Sequence, residues 1–222
     1  MVFPEQVKAG FRNHRGEMDR FTALPPVGGA FAVIASGPSA RGPWPEKPNC
    51  TVIAVNGAVE GLPWTPDYWF TIDPSPDNMR RLASLTPETK PVMAVDPDYG
   101  PNAREAKYRQ DFGRAHLLCL KRSGEVKHDL RMLTFGNSGR AAVNLAMHLG
   151  ATKIGVFGVD GTTHAHWFDP AKKSGNLTTL GEGCALLQKP GVDIVFADVG
   201  VSKVQGQKKA RPEAVLAWLT RP

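Results

Sequence analysis

A three-layer α/β fold with a mostly parallel sheet is what the sequence predicts, and three observations predict it. Short runs of nearly continuous hydrophobicity recur along the chain, as strands buried on both faces require. Helical patterns or loops alternate with these runs, which favours parallel over hairpin connections. Small, polar or acidic residues also follow directly on one run after another, and ligand-binding edges of parallel sheets have that composition.

The runs lie at 31–35, 51–55, 68–72, 92–95, 115–120, 154–158 and 194–197, each rich enough in β-branched or aromatic residues to be a strand. The clearest helix is "SGRAAVNLAMHLGA", where Ala141, Ala142, Leu145, Ala146 and Leu149 share a face, Ser138 is placed as N-cap and Gly150 as C-cap. A second helix is expected over 76–84, with Asp77 near its start, and a last over 212–219, opened by a proline that the first turn tolerates. Together these elements describe a Rossmann-like sandwich. Residues 1–28 read as an N-terminal extension, set off by "LPPVGG", and 29–222 as a single domain. Within it, 161–185 is too long for a routine connection and reads as a lid-like functional loop.

Composition narrows the function classes. The chain has 222 residues, 41% hydrophobic and 22% charged, which suits a soluble globular protein with a full core. No run of about 18 apolar residues occurs and the N-terminus is polar, so neither a membrane span nor a secretory signal is expected, and the location expected is cytoplasmic. The three cysteines, Cys50, Cys119 and Cys184, form no CxxC pair and read as reduced and structural. The net charge is +6, with basic residues concentrated in "KRSGEVKHDLR" (121–131) and "SKVQGQKKARP" (202–212). Such clusters suit an anionic partner (nucleotide phosphate, acidic glycan or nucleic acid), and a solvated basic surface explains either one equally well. Neither is interleaved with the aromatic residues of a single-strand stacking platform.

The residues just after each strand carry the chemistry: Ser36, Gly37, Pro38 and Ser39, then Asn56 and Gly57, Asp73 and Pro74, Asp96 and Pro97, and Asp160 and Gly161. Gly37 permits close backbone approach, and Ser39 offers a hydroxyl to a phosphate or ribose. The turn matches neither GxGxxG nor the P-loop, and taken alone "SGPS" is explained by a tight turn. The free amides and positive dipole end at Ser138 to Arg140 make a second anion-binding feature, to which Arg140 adds a charge.

The ordered set "VIASGPS", "VIAVNGA", "PDYWFTIDP" and "FGNSGRAAVNLAMHLGATKIGVFGVDG" resembles Rossmann-like transferases that include the Campylobacter-type bacterial sialyltransferases and the archaeal 6-hydroxymethylpterin diphosphokinase family. The resemblance covers roughly residues 30–200. It implies a nucleotide-activated donor, with Gly37, Pro38, Ser39 and Asn56 near the nucleotide and Asn137, Ser138 and Gly139 at a helix N-terminus facing it. Two departures stand out. Ala35 and Ser36 replace the glycine and asparagine that precede Gly-Pro-Ser in the sialyltransferases, and "SGNLTTLGEG" lacks the histidine that the family carries downstream.

The chain has instead "DGTTHAHWFDP", where His164 and His166 follow closely on Asp160 and the three are the candidate catalytic residues. Histidines at i and i+2 beside a carboxylate serve as general base, phosphate contact or metal ligands, and the first two uses are preferred because no cysteine or further histidine is placed nearby. Asp73 and Asp160 end neighbouring or near-neighbouring strands, and such a pair at a phosphate site commonly holds Mg²⁺; Asp73 is also placed to cap a helix. Asp96 and Asp98 read as turn residues. Of the tryptophans, Trp167 in the expected lid is the candidate for stacking on a base or sugar.

Taken with these residues, the resemblance implies a glycosyltransferase-like enzyme that moves a group from a nucleotide or nucleotide-sugar donor to a hydroxyl acceptor on a small molecule, a glycan or a modified DNA base. The alternatives are a Mg²⁺-dependent diphosphokinase and a non-catalytic nucleotide- or nucleic-acid-binding module.

Overall fold

Continuous apolar runs become strands of one large sheet because both of its faces are covered. The structure, a computed structural model, describes residues 9–12, 18–21, 23–42, 44–95, 115–121, 132–134, 137–172 and 183–221. A small antiparallel pair, β1 (Ala9–Arg12) and β2 (Met18–Phe21), comes first. The main sheet begins with β3 (Gly29–Ile34), β4 (Thr51–Val55) and β5 (Tyr68–Thr71). After α1 (Pro76–Ser84) it continues through β6 (Lys90–Val95), β7 (His116–Lys121) and β8 (Met132–Thr134). The chain then returns along α2 (Ser138–His148) to β9 (Ala151–Phe157), β10 (Asp193–Ala197), β11 (Lys208–Ala210) and α3 (Pro212–Leu219).

The nine strands lie in the order β11-β10-β9-β3-β4-β5-β6-β7-β8, and every neighbouring pair is parallel. The expected α/β, Rossmann-like architecture is therefore the one observed. From β3 the chain moves outward to β8, then returns to add β9 on the other side of β3. At that reversal the connections leaving β3 and β9 run in opposite directions along the sheet, which opens a crevice at the carboxyl edge, the usual ligand position in such sheets.

The period of two along each strand sorts the core into layers. Phe31 and Val33 of β3 and Ile154 and Val156 of β9 face the α2 layer, where Ala141, Ala142, Leu145, Ala146 and Leu149 are fully buried. Ala32 and Ile34 face the opposite layer with Val215 and Leu219 of α3, while Trp69 and Met93 pack on Leu82 and Leu85 beside α1. Burying a large apolar side chain is worth about 1.5–3 kcal/mol, so this doubly covered centre holds the edge above it rigidly.

Helix ends set the geometry at that edge. The expected cap of α2 moves by one residue: Asn137 is the cap, its Oδ1 accepting the amides of Gly139 (2.9 Å) and Arg140 (3.3 Å), and Ser138 is the first helical residue. A carboxamide oxygen reaches those amides from the extended backbone of residue 137, which the serine inside the helix does not have. α1 is capped by Ser75, whose hydroxyl accepts the Asn78 amide, and not by Asp73, whose carboxylate accepts the Ser75 amide at 3.2 Å.

Cys50 and Cys184 carry no disulfide, and burial pushes both thiols up to about 12. No helix among the described residues is long and apolar enough to cross a membrane. Lys208 pairs with Asp193 at 3.1 Å along the edge strand β11, within the second basic cluster. The first basic cluster beyond Lys121, the turn residues Asp96 and Asp98, and 173–182 of the expected lid lie outside the described residues.

Candidate functional site

A cleft of about 350 Å³ opens at the carboxyl edge, over the reversal between β3 and β9. Its walls are the ends of β3, β4, β5 and β9, the first turns of α1 and α2, and the segment 161–172. Of the residues singled out by sequence, Ser36, Gly37, Asn56, Gly57, Asp73, Asn137, Ser138, Gly139 and His166 line it. Pro38, Ser39, Arg140, Asp160, His164 and Trp167 do not.

The turn after β3 explains part of that division. Ser39 is fully buried, its amide donating to Asp160 Oδ2 (3.0 Å) and its hydroxyl accepting from the Gly158 amide (2.8 Å). The hydroxyl expected to meet a ligand is thus used inside the protein. Gly37 donates to the Gly158 carbonyl at 2.9 Å, and a Cβ on Gly37 would collide with Asp160 Oδ2 and with that carbonyl. Gly158 has φ +72 and its own Cβ would strike the Ala35 carbonyl. The small residues of "SGPS" are therefore required first by the close docking of two turns, and only then by the cleft.

Asp160, expected as a catalytic or metal-binding carboxylate, is 2% exposed and serves this docking. Burial raises its pKa, against the pull of the Ser39 hydroxyl and amide; the Asp198 charge adds to the rise and His164 opposes it. Asp73 is exposed on the cleft wall, so the two aspartates are not gathered on one surface. Among the described residues no group of three or more His, Cys, Asp or Glu is placed to hold a metal ion. The residues present do not fit the expected two-aspartate Mg²⁺ site.

The β4–β5 wall is built from a polar network. Asn56 has φ 52, a left-handed conformation that asparagine tolerates better than most non-glycine residues, and its carbonyl accepts from Trp69 Nε1 at 2.8 Å. Asn78 of α1 donates through Nδ2 to the Asp73 carbonyl (2.7 Å), the Thr71 hydroxyl (3.1 Å) and Asn56 Oδ1 (3.4 Å). Its Oδ1 accepts from Arg81 Nη1 at 2.8 Å, while Arg81 Nη2 reaches Glu60 Oε2 at 2.9 Å. The Arg81 side chain is only 7% exposed. Burial works to raise the Glu60 pKa, but the Arg81 hydrogen bond and charge outweigh it and hold that carboxyl low.

Segment 161–172 forms a strap over the other side. The Trp167 amide donates to the Ser36 carbonyl and its indole Nε1 to the Ala35 carbonyl, both at 3.0 Å. Trp167 is therefore an anchor rather than a stacking platform. Phe168 beside it sits where Gly57 leaves room, 2.8 Å from where a Cβ would lie. The His166 amide donates to the Lys172 carbonyl at 2.9 Å, folding the strap onto itself and turning both side chains to the cleft. Lys172 reaches Asp77 Oδ2 at 3.3 Å, linking strap to α1.

His166 has its Nδ1 buried and without a hydrogen-bond partner among the described residues. Burial lowers its pKa, and Lys172 and Arg81 lower it further against Asp169. The shift favours the neutral imidazole. His164 is exposed and acts electrostatically on Asp160. Arg140 turns towards Gly183, where a Cβ would overlap its guanidinium, and away from the cleft.

Asn78, Arg81 and Lys172 were not singled out by sequence. A signal for two of them exists: in "PDNMRRLASL" Asn78 and Arg81 share the face of Leu82 and Leu85, so polar side chains lie on a buried stripe. Lys172, in "DPAKKSGN", carries no such mark. Comparison of the chain with protein-family models and with curated proteins finds no match.

Proposed function

We propose that the chain is a transferase that binds a nucleotide-activated donor in this cleft and passes the activated group to a hydroxyl acceptor. The observation that carries the reading is the meeting of Ser36, Gly37, Asn56, Ser138 and Gly139 with His166 on one cavity at the strand-order reversal. The motif order shared with the sialyltransferase-like enzymes supports the same reading, as a resemblance.

In the proposed reaction the acceptor oxygen attacks the activated carbon of the donor while the bond from that carbon to the donor's phosphate oxygen breaks. The electron pair leaves with the phosphate. His166 Nε2 takes the acceptor proton, a role suited to a histidine held neutral by burial and neighbouring cations. Asn56 and the turn at Ser36 and Gly37 orient the donor, and the strap excludes water.

The test is binding followed by turnover. Calorimetric titration with CMP, UDP, GDP and ADP and their sugar conjugates names the donor. A donor that binds should be hydrolysed or transferred by the wild type, with His166→Gln binding normally but turning over about a hundredfold or more slower. Equal turnover by wild type and His166→Gln would remove that histidine from the mechanism.

A further inference from the structure

The α2 end of the cleft is poorly equipped to hold an anion, because the Asn137 carboxamide already occupies the amides of Gly139 and Arg140. The opposite wall carries charge held differently. Lys172 is 40% exposed and its ammonium touches Asp77 Oδ2 at 3.3 Å and Asp169 Oδ2 at 4.0 Å. Asp77 has a shorter partner of its own, Arg80 Nη1 at 2.9 Å. If Lys172 moved to a ligand, Asp77 would remain paired. Arg81 lines the same cleft, fixed by Glu60 and Asn78 and nearly buried, so its guanidinium rearranges little and its charge is shared with the Glu60 carboxylate.

We propose that Lys172 is the phosphate subsite of the cleft, on the wall that also carries the fixed Arg81–Glu60 pair, and that the ligand it takes is a phosphate or diphosphate ester. The subsite rests on the nucleotide-donor reading and assigns the leaving phosphate to the α1 and strap wall, beside His166, instead of to the α2 helix end. Binding exchanges the Lys172 to Asp77 contact for a Lys172 to phosphate contact, with no covalent change in the protein. An exposed ion pair contributes little, so the exchange costs little, whereas an ammonium on a phosphate oxygen within a cleft is a charge-assisted bond. Asp73, Asp77, Asp169 and Glu60 also face this wall, and they restrict the site to a ligand whose phosphate reaches Lys172 directly.

Calorimetry with inorganic pyrophosphate and with a nucleoside diphosphate, on wild type, Lys172→Gln, Lys172→Arg and the remote control Lys208→Gln, tests the assignment. Lys172→Gln should weaken both ligands by at least about tenfold, Lys172→Arg should recover most of the loss, and Lys208→Gln should change neither. Imidazole NMR gives a second readout that a merely structural lysine would not move. Pyrophosphate should raise the His166 pKa in the wild type and not in Lys172→Gln at the same concentration. Unchanged nucleotide affinity in Lys172→Gln, with His166 still responding, would overturn the subsite and leave the donor reading intact. Failure of every nucleotide and of pyrophosphate to bind the wild type would overturn both.

Discussion

The two walls of the cleft are built on opposite plans. On the β3, β9 and α2 side, backbone donors are used up internally: the Ser39 amide by Asp160, the Gly158 amide by the Ser39 hydroxyl, the Gly37 amide by the Gly158 carbonyl, and the Gly139 and Arg140 amides by Asn137. On the α1 and strap side, side-chain charges meet across the cleft mouth through contacts that are longer and partly exposed. The first wall is a packed joint whose glycines are dictated by collision distances. The second joins the fixed Arg81, Asn78 and Glu60 network to Lys172, whose looser contacts can change partners. Shape is thus fixed by one wall and chemistry is supplied by the other.

The largest effect should come from breaking the joint. Gly158→Ala places a Cβ against the Ala35 carbonyl at positive φ, and a loss of about 3 kcal/mol or more in denaturant unfolding is expected. On the other wall the corresponding break is Arg81→Met. It leaves Asn78 Oδ1 without its Arg81 donor and Glu60 with only the longer Arg80 contact at 3.5 Å, at a cost of about 1 kcal/mol, and should blunt ligand binding as well.

Asn137→Ala sharpens the contrast between the walls. Loss of the cap should cost about 1 kcal/mol, and it releases the Gly139 and Arg140 amides. If the joint wall is closed to anions only by Asn137, pyrophosphate should bind this variant more tightly than wild type, read by calorimetry. Unchanged affinity would show that the α2 end is shaped against anions by more than its cap.

A smaller effect concerns pH. The folded pKa of His166 lies below its ordinary 6.5, so on acidification the unfolded chain takes up the proton first. Stability contributed by the neutral imidazole is present above pH 6.5 and is lost as pH falls from there through the folded value. His166→Gln should flatten that part of the melting-temperature profile. Asp160 acts in the opposite sense, its raised pKa making the folded state gain stability as pH falls through the folded value, and Asp160→Asn should remove that gain.

Much of this architecture was legible in the sequence. The run at 51–55 is β4, and the helices expected over 76–84 and 212–219 are α1 and α3 with those bounds, since proline at the start of each fixes the first turn. The position of the cleft was legible too, because small and polar residues after successive strands mark a sheet edge whatever binds there. Individual roles were harder to read. Ser39, Asp160 and Trp167 look like ligand contacts in sequence, but their partners lie far away along the chain, 121 residues in the Ser39 to Asp160 bond and 132 in the Trp167 to Ala35 bond. A residue that hydrogen-bonds well is equally fit to hold a turn and to hold a nucleotide, and only the distant partner decides between them. Lys172 is the converse case, an ordinary surface lysine in sequence that the strap turns into a cleft residue.

The central claim, that this cleft binds a nucleotide-activated donor, is tested most directly by melting temperature against nucleotide concentration in wild type and in Asn56→Leu. The account predicts a rise with the logarithm of concentration for one nucleotide class in the wild type, lost when leucine replaces the cleft-lining amide at residue 56. A flat response to every nucleotide, or a rise that survives undiminished in Asn56→Leu, would contradict it.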